Sequence, residues 1–248
     1  MRWLAAASRD DQSASFAATK HRAETAERHF EAAVRTLTLT ETVIREKMRR
    51  ISSANPEGPV ACVKALDHET QLNVLVQTLH QDVARRLSPG RHMRLGVYLR
   101  DEDPDFLKPI LSWDGTKSRV FSDASRNHMR LSSPGGKQAR SMVVQCWFSE
   151  EPLLIVPDGM KAGIDGASWY FYSGQEKHLR SMVAYRHVFE NDPEAQALIL
   201  TLDTDEPDFF TEVVRPDLET TLRAFAVRLE FELVSLIVSS SEADKSPS

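Results

Sequence analysis

Residues 178–237 constrain the fold more than any other part of the chain. They contain two apolar segments, a polar turn between them and a long amphipathic pattern. The first segment, residues 179–189, is rich in residues that suit a pleated, partly buried surface. The second, residues 197–202, is a continuous apolar run, typical of a strand buried on both faces, although a buried helix fragment reads similarly. Because residues 190–194 contain turn-forming dipeptides, an antiparallel strand pair inside a sheet is the simplest interpretation.

A long helix is predicted to close this stretch. Residues 203–207 form an acidic turn, and apolar residues then recur at steps of three and four positions. This spacing is the pattern of a helix with one continuous apolar stripe. The residues of the stripe are Val214, Leu218, Leu222, Phe225, Leu229, Leu233 and Leu236.

This order of elements resembles the last third of a GAF-type small-molecule-sensing domain. In that family an Arg-Ser pair begins a sheet strand, as Arg180 and Ser181 do here, and a second strand follows after a turn. A short segment with Pro and Phe comes next, here Pro207 and Phe210, and the closing helix completes the pattern. The resemblance implies a sensory or regulatory module, and it does not identify the ligand.

The upstream residues supply the other elements of such a domain. Residues 65–87 carry one apolar helical face, and residues 93–100 alternate apolar and polar side chains as a strand does. Residues 106–113 read as a second strand, in which Pro109 indicates a sheet edge or a bulge. From residue 65 onward, the order is helix, two strands, a variable helical insert, a strand, a loop, two strands and a helix.

The resemblance therefore implies an α/β fold of the α+β type. We expect an antiparallel six-stranded sheet with its terminal helices, residues 65–87 and 211–237, on one face. The variable segment, residues 118–173, is expected to form a lid over a ligand on the other face.

A long helix is predicted ahead of this domain. In residues 20–50, apolar residues recur at alternating steps of four and three positions and form a seam with charged residues around it. Glu27 and Glu41 occupy two of the seam positions. The seam predicts a dimerising coiled coil, and one amphipathic helix lying on its own domain is the alternative. Its apolar residues are Ala23, Phe30, Val34, Leu37, Ile44, Met48 and Ile51.

Prolines and a glycine near residues 56–59 end this helix and mark a domain boundary. The predicted organisation has four parts, which are a frayed or disordered start at residues 1–19, a helical or coiled-coil segment at 20–58, a GAF-like sensor domain at 59–238 and a disordered tail at 239–248.

Composition places the chain among ordinary globular proteins. Of its 248 residues, 41% are hydrophobic and 27% are charged. The net charge of −5 argues against general nucleic-acid binding, and no stretch approaches the roughly 18 apolar residues of a membrane span. Two cysteines cannot form a disulfide framework and suit a reducing compartment, so we expect a cytoplasmic protein.

The best pocket candidate is the run of four adjacent aromatic residues at positions 169–172. A ligand pocket is typically apolar with a few polar anchors, and Tyr and Trp side chains supply both. A satellite core that pins the lid to the sheet is the alternative, and both interpretations stay open. Which face Arg180 and His187 present is not fixed by the sequence. The predicted ligand-binding residues are Trp113, Arg140, Gln145, Trp147, Trp169, Tyr170, Tyr172, Arg180 and His187.

The sequence offers no specific enzymatic or metal-binding pattern. Cys146 is followed by Trp147, whereas the bilin-binding members of the family carry Cys followed by His, and their Asp-Ile-Pro signature is also absent. The sulfoxide-reducing members need clustered cysteines, whereas Cys62 is remote in sequence. We therefore expect a buried, inert Cys146, no metal and no catalytic residue, and the cofactor is unknown.

The leading hypothesis is a sensor that binds an unidentified small molecule, forms a homodimer through its N-terminal and C-terminal helices and signals to an output protein in trans. No kinase, cyclase or DNA-binding domain fits in the remaining residues, so the signal passes to a separate protein or the chain belongs to a longer one. Two alternatives stay open, a ligand-free dimerisation scaffold and a thiol-dependent redox enzyme that requires an exposed Cys146.

Overall fold

The computed structural model describes residues 68–87, 92–101, 103, 105–115, 118–120, 129–131, 141–164, 179–189 and 197–243, with residues 47–53 and scattered positions from 16 to 45. The chain divides into two compact units, Met1–Arg49 and Arg50–Ser248. All described positions from 16 to 53 are helical. In the described part of the chain, no helix has the length and apolar character needed to cross a membrane.

The second unit is built around one antiparallel sheet. Six strands follow the order β3-β2-β1-β7-β6-β5, and the short strand β4 pairs with β2 off this path. The elements are α1 (His68–Leu87), β1 (Met93–Arg100), β2 (Phe106–Trp113), β3 (Ser118–Val120), β4 (Met129–Arg130), α2 (Met142–Phe148), β5 (Leu153–Val156), α3 (Gly159–Ile164), β6 (Ser181–Val188), β7 (Ala197–Thr204), a 3-10 helix (Glu212–Val214) and α4 (Arg215–Ala243).

The predicted strand pair lies in the middle of this sheet. Strands β6 and β7 are antiparallel from Ser181 opposite Thr204 to Val188 opposite Ala197. Nearly every residue of both strands is buried, as expected for strands covered on both faces. The predicted irregularity at Pro109 is also confirmed, because the β1–β2 register shifts between Val97 and Tyr98, the residue opposite Pro109.

The terminal helices cover one face of the sheet, hereafter the helix face. Helix α1 contacts β1 and β2, α4 contacts β5, β6 and β7, and the two helices contact each other. Apolar side chains that share a face through their cross-strand pairing form the core beneath these helices. They include Leu95, Val97, Leu198, Leu200 and Leu202 from the strands and Leu75, Leu79, Leu222 and Leu229 from the helices.

A buried polar contact also joins the two terminal helices. Glu232 of α4 is fully buried, and its Oε2 lies 2.8 Å from Nδ1 of His68 at the start of α1. Arg228 Nη2 donates to the other carboxylate oxygen at 2.8 Å. A buried carboxylate needs such partners because its desolvation is costly.

The opposite face, hereafter the lid face, carries α2. Val143, Val144 and Cys146 of this helix belong to one buried cluster with Ala184 and Ile199 of the sheet. Ser141 begins the helix, since its Oγ accepts the amide of Val144. The fold class predicted from the sequence, an antiparallel GAF-like sheet with terminal helices on one face and a cover on the other, is confirmed.

The variable segment is more structured than the sequence pattern predicts. The strand predicted after the insert is confirmed as β5, but strands β3 and β4 also fall within the segment predicted to be a lid. Residues 159–164 form a short helix where a loop is expected. Asp158 supports this helix, because its Oδ1 accepts the amide of Met160 at 3.1 Å. A six-residue helix with a single cap leaves no periodic apolar pattern to detect.

The Arg-Ser pair at the start of β6 holds the following loop in place. Ser181 Oγ accepts the backbone amide of Phe210 at 2.8 Å and donates to the Val156 carbonyl at 3.3 Å. Ser181 and Phe210 are both fully buried. This hydroxyl therefore connects β5, β6 and the segment that leads into α4.

Replacing Ser181 with Ala is expected to lower the free energy of unfolding by about 2 kcal/mol, because it leaves a buried amide and a buried carbonyl without their partner. Urea denaturation measures the change. Thr78→Ala is the control, since the Thr78 hydroxyl donates to the Val74 carbonyl one turn away in its own helix, and its effect should stay within about 0.5 kcal/mol. Equal effects of the two substitutions would contradict the assigned role of Ser181.

Candidate functional site

A polar cavity opens at the end of the sheet where β1 begins and β7 ends. Its volume is about 280 Å³. Four chain segments contribute to it, the residue before β1, β1 itself, the residue after β2 and the end of β7. We call this the sheet-end cavity, and its lining residues are His92, Arg94, Asp114, Thr204 and Asp205.

An ion pair forms one wall of the sheet-end cavity. Arg94 Nε donates to Asp203 Oδ1 at 2.7 Å, and Arg94 Nη2 lies 2.7 Å from the same oxygen. These residues are register partners on β1 and β7, so both side chains project from the lid face. The Arg94 side chain is 33% exposed and that of Asp203 is 19% exposed, which leaves the guanidinium accessible to a ligand.

Burial raises the pKa of Asp203 to about 6, although the charge and hydrogen bonds of Arg94 oppose the rise. The desolvation of the carboxylate is the larger effect. Burial likewise lowers the pKa of His80, which donates through Nε2 to the Met93 carbonyl at 2.7 Å.

A row of small residues crosses the lid face next to this ion pair. Ser112, Gly96, Thr201 and Ala184 are successive register partners on β2, β1, β7 and β6. A Cβ atom at Gly96 would lie 2.7 Å from Thr201 Oγ1 and 2.9 Å from the Tyr98 ring, so only glycine fits without displacing its neighbours. The Tyr98 ring and Thr201 Oγ1 thus occupy the space that a side chain at Gly96 would need.

Two of the predicted ligand-binding residues lie on α2, above the lid face. Gln145 and Trp147 are both partly buried. The Arg100 guanidinium lies over the Trp147 ring, 5.8 Å from its centroid, and Arg186 donates a hydrogen bond to the Trp147 carbonyl. The Trp147 side chain also packs against the buried cluster of the lid face.

Two other predicted residues, Trp113 and His187, contact the terminal helices on the helix face. Trp113 packs edge-on against His80 of α1, with ring centroids 6.4 Å apart, and so faces the terminal helices. His187 also lies on the helix face, where its Nε2 is 2.7 Å from Glu230 Oε2. The structure does not bring these two side chains to the cavity.

Arg180 forms a bidentate ion pair with Asp158. Its Nε and Nη2 donate to the two carboxylate oxygens at 3.3 and 3.2 Å. These hydrogen bonds hold the pKa of the Asp158 carboxyl below its ordinary value. The contact fixes the turn between β5 and α3, which gives Arg180 a structural role. The remaining predicted residues, Arg140, Trp169, Tyr170 and Tyr172, lie outside the described residues.

The thiol of Cys146 is buried, as predicted. The residue has no exposed surface, and its Sγ lies 3.9 Å from the Pro152 carbonyl oxygen. Burial raises the pKa of the thiol to about 12, so the reactive thiolate is essentially absent at neutral pH. Among the described residues, no group of three or more His, Cys, Asp or Glu side chains is arranged to hold a metal ion.

The residues of the sheet-end cavity were missed by sequence reasoning. Residues 203–207 read as an acidic turn, and Arg94 reads as the outward position of an alternating strand. A partial signal exists, since Asp203 directly follows the buried run of β7 and continues its strand pairing. The cavity itself depends on which strands are neighbours, and β1 and β7 are about a hundred residues apart in sequence.

Comparison with known structures finds GAF domains at low similarity. The GAF domain of an Acinetobacter phosphoenolpyruvate-protein phosphotransferase is 14% identical, with a TM-score of 0.45 over 77% of this chain and 94% of that chain. A protein described as a GAF sensor from Burkholderia vietnamiensis is 15% identical, with a TM-score of 0.40 over 71% of this chain and 98% of that chain.

A free methionine-R-sulfoxide reductase from Neisseria meningitidis is also 15% identical, with a TM-score of 0.40 over 72% of this chain and 95% of that chain. No protein-family model and no curated protein sequence matches the chain. At these low similarities, the description of the chain as GAF-like rests on its own strand order and helix placement.

Asp203→Asn is expected to flatten the dependence of stability on pH between about pH 4 and pH 6. The folded-state pKa of about 6 exceeds the ordinary value of 3.8, so the folded protein binds an extra proton in this window. The stability contributed by that proton is present at low pH and is lost as the pH rises through 6. Two pKa units correspond to about 3 kcal/mol, the largest loss expected in the wild type.

Urea denaturation of both proteins from acid to neutral pH measures this difference. The wild type should lose stability relative to Asp203→Asn as the pH rises. Parallel stability curves for the two proteins would show that Asp203 titrates in the folded state as it does in the unfolded chain.

Proposed function

We propose that this GAF-like protein is a cytoplasmic sensor that binds a small polar molecule in the sheet-end cavity and signals through its terminal helices to a partner protein. The observation that supports this function is the Arg94–Asp203 ion pair beside an open polar cavity at the end of the sheet. The helix face of the same sheet is packed against α1 and α4.

The chemistry of the cavity favours a ligand that carries both donors and acceptors. Arg94 and His92 offer hydrogen-bond donors, whereas Asp114 and Asp205 offer carboxylate oxygens. A volume of about 280 Å³ lies just below the range of typical small-molecule pockets, roughly 300–1,000 Å³, so the ligand should be small. The Arg100 contact places Trp147 at the opposite end of β1 from Arg94, roughly 20 Å along the strand, so α2, which carries Gln145 and Trp147, does not line this cavity. The predicted lid residues Arg140, Trp169, Tyr170 and Tyr172 are proposed as further contacts.

The proposed mechanism is a population shift between two arrangements of the terminal helices. A ligand that binds one arrangement more tightly increases its population. A coupling free energy of about 1–3 kcal/mol is typical and would be enough to bias a partner protein. The partner protein then produces the cellular response.

Exposed apolar stripes support a homodimer formed through the helices. On α4, the side chains of Val227, Phe231 and Val234 are 53%, 54% and 44% exposed and follow steps of four and three. This stripe lies opposite the buried one that contains Leu222 and Leu229. Such spacing suits a coiled-coil contact, and a second copy of the chain presents the same stripe in a symmetric dimer.

The N-terminal unit has a second stripe of the same kind. Phe30, Leu37 and Ile44 follow steps of seven and are 70%, 69% and 51% exposed. Val34 and Met48, on the intervening seam positions, are exposed as well. We propose that the same second copy covers this seam in a parallel coiled coil.

The exposed stripes also support the alternative function of a ligand-free dimerisation scaffold, since they are present whatever the cavity binds. The third hypothesis, a thiol-dependent redox enzyme, receives no support from Cys146, whose thiol is buried and protonated at neutral pH.

Native mass spectrometry of the protein purified from the organism that encodes it tests for a bound ligand. We expect a mass above that of the polypeptide, and we expect the Asp203→Asn variant to lose it because Arg94 no longer has a charged partner to orient it. Glu232→Gln is the matched control, a buried charge-neutralising change on the helix face that should leave the ligand bound.

A bare polypeptide mass in the wild type, with no thermal shift across a panel of amino acids, nucleotides and organic acids, would favour the scaffold. Loss of the extra mass in the Glu232→Gln control as well would show that the effect of Asp203→Asn is not specific to the sheet-end cavity.

Phe231→Glu is expected to weaken the dimer by at least about tenfold, because it puts a charge into an apolar interface. Leu37→Glu should do the same through the N-terminal seam. Val213→Glu is the control, since Val213 is 88% exposed in the 3-10 helix and belongs to neither stripe. Sedimentation equilibrium measures the dissociation constants, and a monomeric wild type would contradict the proposed dimer.

A further inference from the structure

Two adjacent residues near the end of β6 reach the elements on opposite faces of the sheet. Arg186 points to the lid face and donates to the Trp147 carbonyl at the end of α2. His187 points to the helix face, with its Nε2 2.7 Å from Glu230 Oε2 of α4. Successive side chains of a strand project to opposite faces, so one short piece of backbone holds both contacts.

The contact on the lid face anchors the end of α2. Trp147 is the second-last residue of this helix, and its carbonyl is one of the last four, which have no partner within the helix. A guanidinium at a helix C-terminus also interacts favourably with the helix dipole. Any displacement of α2 that a ligand causes therefore acts directly on Arg186.

The contact on the helix face is close to the polar link between the terminal helices. Glu230 is two residues from Glu232, which binds His68 of α1 and Arg228. The His187 side chain is only 9% exposed and that of Glu230 is 18% exposed, so water competes weakly for this hydrogen bond. His187 thus helps to fix the position of α4 relative to the sheet.

The backbone between these contacts is held firmly. The Arg186 amide donates to the Pro152 carbonyl at 2.7 Å, and residues 186 and 187 pair with Ile199 and Leu198 of β7. A rigid strand segment bonded on both faces transmits a small displacement instead of absorbing it.

We infer that Arg186 and His187 couple the position of α2 to that of α4 through the sheet. This inference rests on the proposed sensory function and specifies the route by which the ligand-binding face regulates the output helix. The coupling is a property of the unliganded protein, so its test requires no ligand.

Hydrogen exchange of the unliganded protein tests the coupling. Arg186→Met removes the guanidinium and keeps an unbranched side chain. We expect amide exchange near Glu230 in α4 to accelerate about tenfold, although the substitution lies on the other face, because the His187 hydrogen bond loses its fixed support. Amides in the middle of β7 are the internal reference and should change by less than about twofold.

Arg100→Met is the matched control. Arg100 also projects from the lid face and lies over the Trp147 ring, and its neighbour Leu99 faces the terminal helices with an apolar side chain. This variant removes a cation from the same indole and leaves β6 intact, so exchange in α4 should match the wild type. Arg186→Lys, which keeps the positive charge but replaces the planar guanidinium with a single ammonium group, is the second variant if Arg186→Met does not fold. It should accelerate α4 exchange in the same direction, by a smaller factor.

Reciprocity gives a second measurement, because a coupling free energy acts equally in both directions. His187→Gln should accelerate amide exchange in α2. Unchanged exchange in α4 of the Arg186 variants, or a uniform change that includes β7, would overturn the inference. Neither result would affect the mass-spectrometric test for a ligand, and an absent ligand would leave this test unaltered.

Discussion

The antiparallel pairing of β6 with β7 is the interaction on which the rest of the structure depends. Both strands are buried on two faces, and their alternating side chains assign every neighbour to one face or the other. The helix-face side chains Val183 and Leu202 support the terminal helices, and the lid-face side chains Ala184 and Thr201 lie on the row of small residues beneath the cover. A register slip of one residue would exchange these two sets.

The same alternation explains how much of the fold could be predicted from the sequence. The apolar run of residues 197–202 and the four-three pattern of α4 are local signals, and they correctly predict a central strand and a closing helix. Strands β3 and β4 contain three and two residues, and helix α3 has six, too few for any period to show. Strands β3 and β4 form by pairing with β2, and such pairing between separate segments leaves no mark in a local sequence pattern.

The candidate site could be predicted only in part, for a related reason. Trp113, Arg180 and His187 have the residue types of ligand anchors, but His80, Asp158 and Glu230 engage them, and each of these partners is distant in sequence. The Arg-Ser pair stands at the start of β6 as predicted, and both of its side chains hold neighbouring segments in place. Asp203 could not be recognised as a site residue, because its raised pKa arises from burial next to Arg94, 109 positions earlier.

In the proposed function, a small polar molecule binds in the sheet-end cavity beside Arg94 while the helix face holds α4. A crystal structure of the protein as purified from the organism that encodes it tests this claim most directly. We predict density for a small molecule within hydrogen-bonding distance of the Arg94 guanidinium, with α1 and α4 packed on the opposite face. A sheet-end cavity filled by the protein's own side chains, or a ligand bound between α4 and the sheet, would contradict it.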